Sequence, residues 1–148
     1  MRFEYPYTVI QDEEGFWLAK CPDVRGAATD DQNRDTAVAE LHDTLIAALG
    51  GYIERDLPLP LPSASQSNQT IALEPIHAAK LALHAAKNAR SLNNSDLARL
   101  LGGVSENAVR RMLDLDHRSH IGTIQSALQK LGRRLVVEEI PAEQTECI

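Results

Sequence analysis

The sequence is short of cysteine and has no long apolar run, and each shortage removes a class of protein. Its two thiols, Cys21 and Cys147, lie near opposite ends without CxxC spacing. Neither a disulfide scaffold nor a thiolate metal site is built in, and both read as inert small apolar residues. No apolar stretch approaches the ~20 residues that a bilayer crossing takes. The opening "MRFEYPYTVI" also lacks the basic, apolar and small-residue succession of a secretion signal. The chain is therefore expected in the cytoplasm and away from membranes. Histidine is sparse too: His77 and His84 stand seven apart, His117 and His120 three apart, and no cysteine or carboxylate completes a zinc set. Capping or surface roles are expected for them, with no metal and no cofactor.

What is present is a soluble globular composition, 43% apolar and 24% charged over 148 residues, enough for one ordinary domain or two small ones. Charge is divided unevenly. Up to Pro62 there are twelve acidic and five basic residues, a net of −7. From Pro75 to Arg134 there are ten basic and four acidic, a net of +6. The basic half would attract phosphate and the acidic half a basic protein.

The N-terminal "RFEYPYTVI" puts Phe3, Tyr5, Tyr7 and Val9 on one face at period two, and "DEEG" turns the chain into a second apolar run, "FWLAKC". Pro6 cannot donate to a ladder, so it belongs at an edge or on a non-bonding side. A short third strand follows in "PDVRGAATDD". From Asn33 to about Arg55, Ala37, Val38, Leu41, Leu45, Ala48, Leu49 and Tyr52 recur at helical spacing, with Gly50 and Gly51 weakening the end. "LPLPLPSASQSNQ" reads as an extended loop and a domain boundary, flexible over 62–69, and "TIAL" as a strand that returns to the first sheet. The expected organisation is α+β: a β-β-β-α-β unit over 1–73, helices over 75–140 that also carry dimerisation, and a tail over 141–148.

After Pro75 the period is helical throughout, with Ile76, Ala79, Leu83 and Ala86 as the first buried stripe. Asn93 with Asp96 resembles a capping pair for a second helix that turns Leu97, Ala98, Leu100 and Leu101 inward and leaves at Gly102. Ser105 is placed to cap a third, in which Ala108, Val109, Met112 and Leu113 form the apolar arc. The polar arc holds Asn107, Arg110 and Arg111. With Ser105 these are the candidates for reading base edges in a major groove, because arginine can bond guanine, and asparagine adenine, in bidentate fashion. Arg99 and Arg118, together with Lys87, Arg90, Lys130, Arg133 and Arg134, are candidates for holding phosphates. A fourth helix ends at Gly132, and "RRLVVEEI" reads as a short C-terminal strand available to a second copy of the chain.

"DLARLLGGVSENAVRRMLD" followed by "HRSHIGTIQSALQKLGRRL" resembles a Cro/repressor-type helix-turn-helix, with two glycines before the Val-Ser pair where one is usual. With the aromatic strand, the acidic turn and "CPDVRGAATDD", the chain resembles the HicB antitoxins in their helix-turn-helix branch. That resemblance implies an N-terminal part folded like a fragment of ribonuclease H, which occludes a small basic RNA-cleaving toxin of the HicA type. It also implies a C-terminal part that binds operator DNA, represses the shared operon and forms a homodimer, with tetramers as a further possibility. Asp23, Asp30 and Asp31, beside the third strand, are the toxin-facing candidates, with solvated turn residues as the alternative. Two other functions stay open: a small-molecule-responsive repressor, which needs a concave apolar pocket, and a ribonuclease H-like nuclease. The nuclease needs several carboxylates around two metal ions, and the first strand offers only Glu4, so no catalytic residue is assigned.

Overall fold

Alternating aromatics at the N-terminus do form a strand, but it changes partners halfway. The computed structural model describes residues 1–64 and 69–141. In it β1 (Glu4–Pro6) pairs with β5 (Thr70–Ala72), while β2 (Thr8–Gln11) pairs with β3 (Trp17–Lys20), all antiparallel. The break falls at Tyr7. Its N–H donates to the Gln69 carbonyl at 3.1 Å, and the Phe3 carbonyl accepts from Leu73 at 3.2 Å. Odd-numbered residues thus bond toward β5, and alternation turns the donorless nitrogen of Pro6 the other way, where it disrupts nothing. The return of "TIAL" to the first strand is as expected.

The β2–β3 turn is closed by Asp12, whose carboxylate accepts from the N–H groups of Glu14 and Phe16, both at 2.9 Å, with Gly15 at a φ of 90°. Next to β3 lies β4 (Ala28–Asp31). Tyr5 and Ala19 point to the covered face and are fully buried. Over that face runs α1 (Arg34–Glu54), capped by the Asn33 side chain, which accepts from Thr36 N–H. Its buried stripe is Ala37, Leu41, Leu45 and Leu49, four of the residues that periodicity selected; Val38, Ala48 and Tyr52 pack partly against the same core. The opposite sheet face, with Ile10, Lys20 and Asp30, is exposed.

Four helices follow: α2 (Pro75–Ala89), α3 (Asn94–Leu100), α4 (Glu106–Leu113) and α5 (Ile121–Lys130). The fold is mixed α+β, with five helices and small antiparallel sheets among the described residues. Leu83, Leu97, Val109 and Ile124 form the centre of a second apolar cluster. Ile53 and Ala82 touch both clusters, and Leu81 and Leu115 from the second half are buried in the first.

One expectation fails here. Leu100, assigned inward, is 38% exposed. Within the single chain residues 133–141 pair with no strand, and the edge expected for them belongs to a second copy. Leu135, Val136 and Val137 are consecutive, so a pleat would send them to both faces. Only Leu135 reaches the core, leaving Val136 and Val137 75% and 63% exposed. Of the loop assigned to 62–69, residues 65–68 lie outside the described residues, as does nearly all of the 141–148 tail; Ser63 is anchored, as set out below.

Candidate nucleic-acid and protein interfaces

The helices α3 and α4 are built by their caps. Asn93 and Asp96 form a reciprocal capping box, the Asn93 side chain accepting from Asp96 N–H at 2.8 Å and the Asp96 carboxylate from Asn93 N–H at 3.0 Å. Gly102 and Gly103 follow, both left-handed at φ 91° and 84°, a region open to glycine at no steric cost. Ser105 caps α4, its hydroxyl accepting from Ala108 N–H at 3.0 Å. Val109 and Leu113 are buried and Ala108 and Met112 half-buried, which leaves Asn107, Arg110 and Arg111 on the exposed side as the helical wheel requires. Arg110 donates to Glu106 one turn earlier at 3.2 Å, and Arg99 to Asp96 at 2.6 Å. Both are exposed surface pairs, which hold a side chain only weakly. Arg118 is exposed on the α4–α5 connection. The structure thus gathers Ser105, Asn107, Arg110 and Arg111 on one short helix, flanked by Arg99 and Arg118 on neighbouring segments, with Ser105 committed to its cap.

Lys87 is a correction. It was expected to hold phosphate, yet its side chain is 1% exposed and donates to Asp56 Oδ1 at 2.7 Å and Asn94 Oδ1 at 2.9 Å. Lys80 and His84 are fully buried as well. His84 Nε2 donates to the Leu57 carbonyl at 2.8 Å, and His77 Nε2 meets the Leu115 carbonyl at 3.1 Å. The surface roles expected of these histidines do not hold for His84. Desolvation pulls its pKa below the usual imidazole value, ahead of the opposing hydrogen bond to Leu57. Burial lowers the Lys80 pKa too, with Asp114 acting in the other direction. A sequence signal existed: 77, 80, 84 and 87 are spaced 3-4-3 and share one helix face. With Lys80 and Lys87 withdrawn, eight basic residues from Pro75 to Arg134 stay accessible to a partner against four acidic ones, a net of +4.

The three acidic candidates of the first half separate. Asp23 accepts from both the N–H and the hydroxyl of Ser63, at 2.8 and 2.9 Å, and so holds the proline-rich loop. Asp31 accepts from Asn33 N–H at 2.7 Å and sets the turn into α1. Asp30 is exposed, on the uncovered sheet face opposite Leu18. The same loop is held from the other side by Tyr5, whose hydroxyl donates to the Pro60 carbonyl at 2.9 Å. Burial, with the Asp23 carboxylate nearby, raises the Cys21 thiol pKa to about 11, so it stays protonated and unreactive; Cys147 lies outside the described residues.

Between α1 and the α4–α5 connection lies an open cleft of about 1020 Å³. Its walls carry the charged Asp43, Glu54, Asp114, Asp116 and Arg110 beside the apolar Ile46, Ile53, Leu113 and Leu115. Among the described residues no helix is long and apolar enough to cross a membrane, and no three His, Cys, Asp or Glu side chains cluster to hold a metal ion.

Comparison with known proteins gives consistent matches. Residues 4–82 match the family described as the HicB-like antitoxin of bacterial toxin-antitoxin systems. Antitoxin HicB 2 of Photorhabdus laumondii is 34% identical over 131 residues, covering 88% of this chain and 92% of that protein. Antitoxin HicB of Pseudomonas fluorescens is 31% identical over 140 residues, 91% and 92% of the two chains. Antitoxin HicB of Escherichia coli K12 is 28% identical over 132 residues, 88% and 95%.

Proposed function

The chain belongs to the HicB-like antitoxin family, and from that membership we propose a regulator with two targets: a HicA-type RNA-cleaving toxin and the operator of their shared operon. Like its relatives it is an antitoxin and not an enzyme. In this reading residues 1–73 bind the toxin. Neutralisation is occlusion: an acidic surface competes with RNA phosphate for the toxin's basic face and covers its catalytic histidine. Asp30 is the candidate contact that the fold leaves free, while Asp23 and Asp31 shape the surface around it.

Residues 75–140 then act as a helix-turn-helix unit, with α3 as its first motif helix and α4 as the reading helix. Asn107, Arg110 and Arg111 face bases, and Arg99 and Arg118 face phosphates. A homodimer formed through this half would present two reading helices to half-sites ~34–36 Å apart, and sedimentation as a monomer at micromolar concentration would count against it. The observation that carries the proposal is that the family match over residues 4–82 spans the acidic half, whereas the exposed basic residues and the capped, arginine-bearing α4 follow it.

The test is reconstitution. A HicA-type RNA-cleaving toxin is mixed with the chain, and RNA cleavage and operator retardation are followed together. Loss of cleavage on complex formation, with retardation of the chain's own upstream DNA, is the expected result. Cleavage that continues in the presence of a bound chain would refute occlusion.

A further inference from the structure

Four of the five helices close their own C-termini. After α1, α2, α3 and α5 the chain enters the left-handed region at Asp56, Ser91, Gly102 and Gly132, with φ of 52°, 54°, 91° and 73°. In each, two backbone N–H groups fold back onto the last turn, as in Gly103 to Ala98 at 3.0 Å and Gly102 to Arg99 at 3.2 Å. The exception is α4. Its C-cap residue Asp114 is extended, with φ −71° and ψ 116°, so no such motif collects the final carbonyls, which every helix leaves without internal partners.

Another helix meets one of them, the Arg111 carbonyl, together with the cap carbonyl of Asp114 and one from the connection that follows. Lys80 reaches from α2 and donates to the carbonyls of Asp114 and His117, both at 2.6 Å, and of Arg111 at 3.2 Å. An ammonium has three N–H donors, and all three are spent. The side chain is fully buried, and its charge lies against the negative end of the α4 dipole. One turn earlier on α2, His77 holds the Leu115 carbonyl of the same connection.

An apolar side chain would fill this space without the cost of burying a charge. What it would lack is direction. Two turns of helix resting on Val109 and Leu113 can roll and slide on an apolar surface, whereas one nitrogen bonded to the last turn of α4, to its cap and to the connection ties the helix end to the segment that leaves it. Ser105 fixes the start of α4 and Lys80 its end. We propose that Lys80 is a positioning residue for DNA reading, setting the angle of α4 and hence the bases that Asn107, Arg110 and Arg111 reach. This rests on the operator reading above.

The test uses the full chain and two duplexes of equal length and composition, one from immediately upstream of its own reading frame and one unrelated. Lys80→Met is expected to lower the ratio of the two affinities by about tenfold, the size of one lost base contact. Affinity for the unrelated duplex should change by less than about threefold, because Lys80 faces no phosphate. In the same variant, amides from 112 to 119 should exchange faster with deuterium. Ala19→Gly, a core change on β3, controls for destabilisation and should keep the ratio. Should Lys80→Met not fold, Lys80→Arg keeps the charge but moves the donors, and it too should lower the ratio. An unchanged ratio in the folded variant overturns the assignment of Lys80 alone. A wild-type chain that does not distinguish the duplexes overturns the operator reading, and this assignment falls with it.

Discussion

Arg110 is the residue on which the proposed base reading can be measured most directly. Its partner Glu106 is half-exposed and Arg110 itself more so, so release from that pair costs little and the guanidinium is free to turn to a base. Arg110→Ala is expected to cost about 1–3 kcal/mol on the operator and to relax preference at one base pair. Titration against single-base variants of the site checks this; a uniform loss would make it a phosphate contact. His84 offers a second residue-scale test. Burial holds its pKa below the usual value, so below about pH 6.5 the unfolded chain takes up a proton that the folded chain refuses. Stability is complete above that pH and should fall as pH drops from there toward the lowered folded value, by up to ~1.4 kcal/mol per pH unit. His84→Gln keeps a donor without a titrating ring and should flatten this part of the curve in pH-dependent thermal melts.

At the scale of elements, glycine has opposite meanings in two helices. Gly50 lies inside α1 with ordinary helical geometry, and a Cβ added there would meet nothing within 4 Å. Gly50→Ala should therefore stabilise by about 0.5–1 kcal/mol. Gly102 also has open space around it, but its φ of 91° is one that L side chains rarely adopt. Gly102→Ala should destabilise by about 1 kcal/mol or more. Urea unfolding of the two variants checks the opposite signs. The helices, the caps of α3 and α4 and the left-handed exit at Gly102 were legible because each depends on residues within one or two turns, as in Asn93 with Asp96 or Ser105 with Ala108, whereas the exits at Asp56 and Ser91 carry no glycine to mark them. The basic face of α2 was not read as buried. Lys80 meets a carbonyl 34 residues away, and local periodicity carries no information about that partner.

For the whole molecule, the sharing of Leu81 and Leu115 with the first apolar cluster bears on how separable the two halves are. A chain ending at Ile71 loses Leu73, Leu81 and Leu115 from that cluster, and a buried leucine contributes roughly 1.5–3 kcal/mol. The fragment is expected to melt well below the full chain while still capturing toxin at low temperature. Calorimetry and toxin pull-down on the same sample check both statements. Failure of a folded fragment to capture toxin would place part of that surface in the second half. Charge at this scale is also reduced by folding, since two of the ten basic residues after Pro75 turn inward.

From the sequence alone come the α+β character, the order of strands and helices, the caps and the exposed arc of α4, because periodicity and short-range hydrogen bonding are local properties. The family resemblance rests on the same local patterns taken in order. The tertiary structure decided which polar groups are spent inside. Lys87 became a tie to Asp56 and Asn94, Asp23 and Asp31 became turn and loop anchors, and Lys80 became the closure of a helix distant in the chain. Each of these outcomes turns on which carbonyl or carboxylate the fold brings opposite a side chain, and that depends on contacts made across the chain.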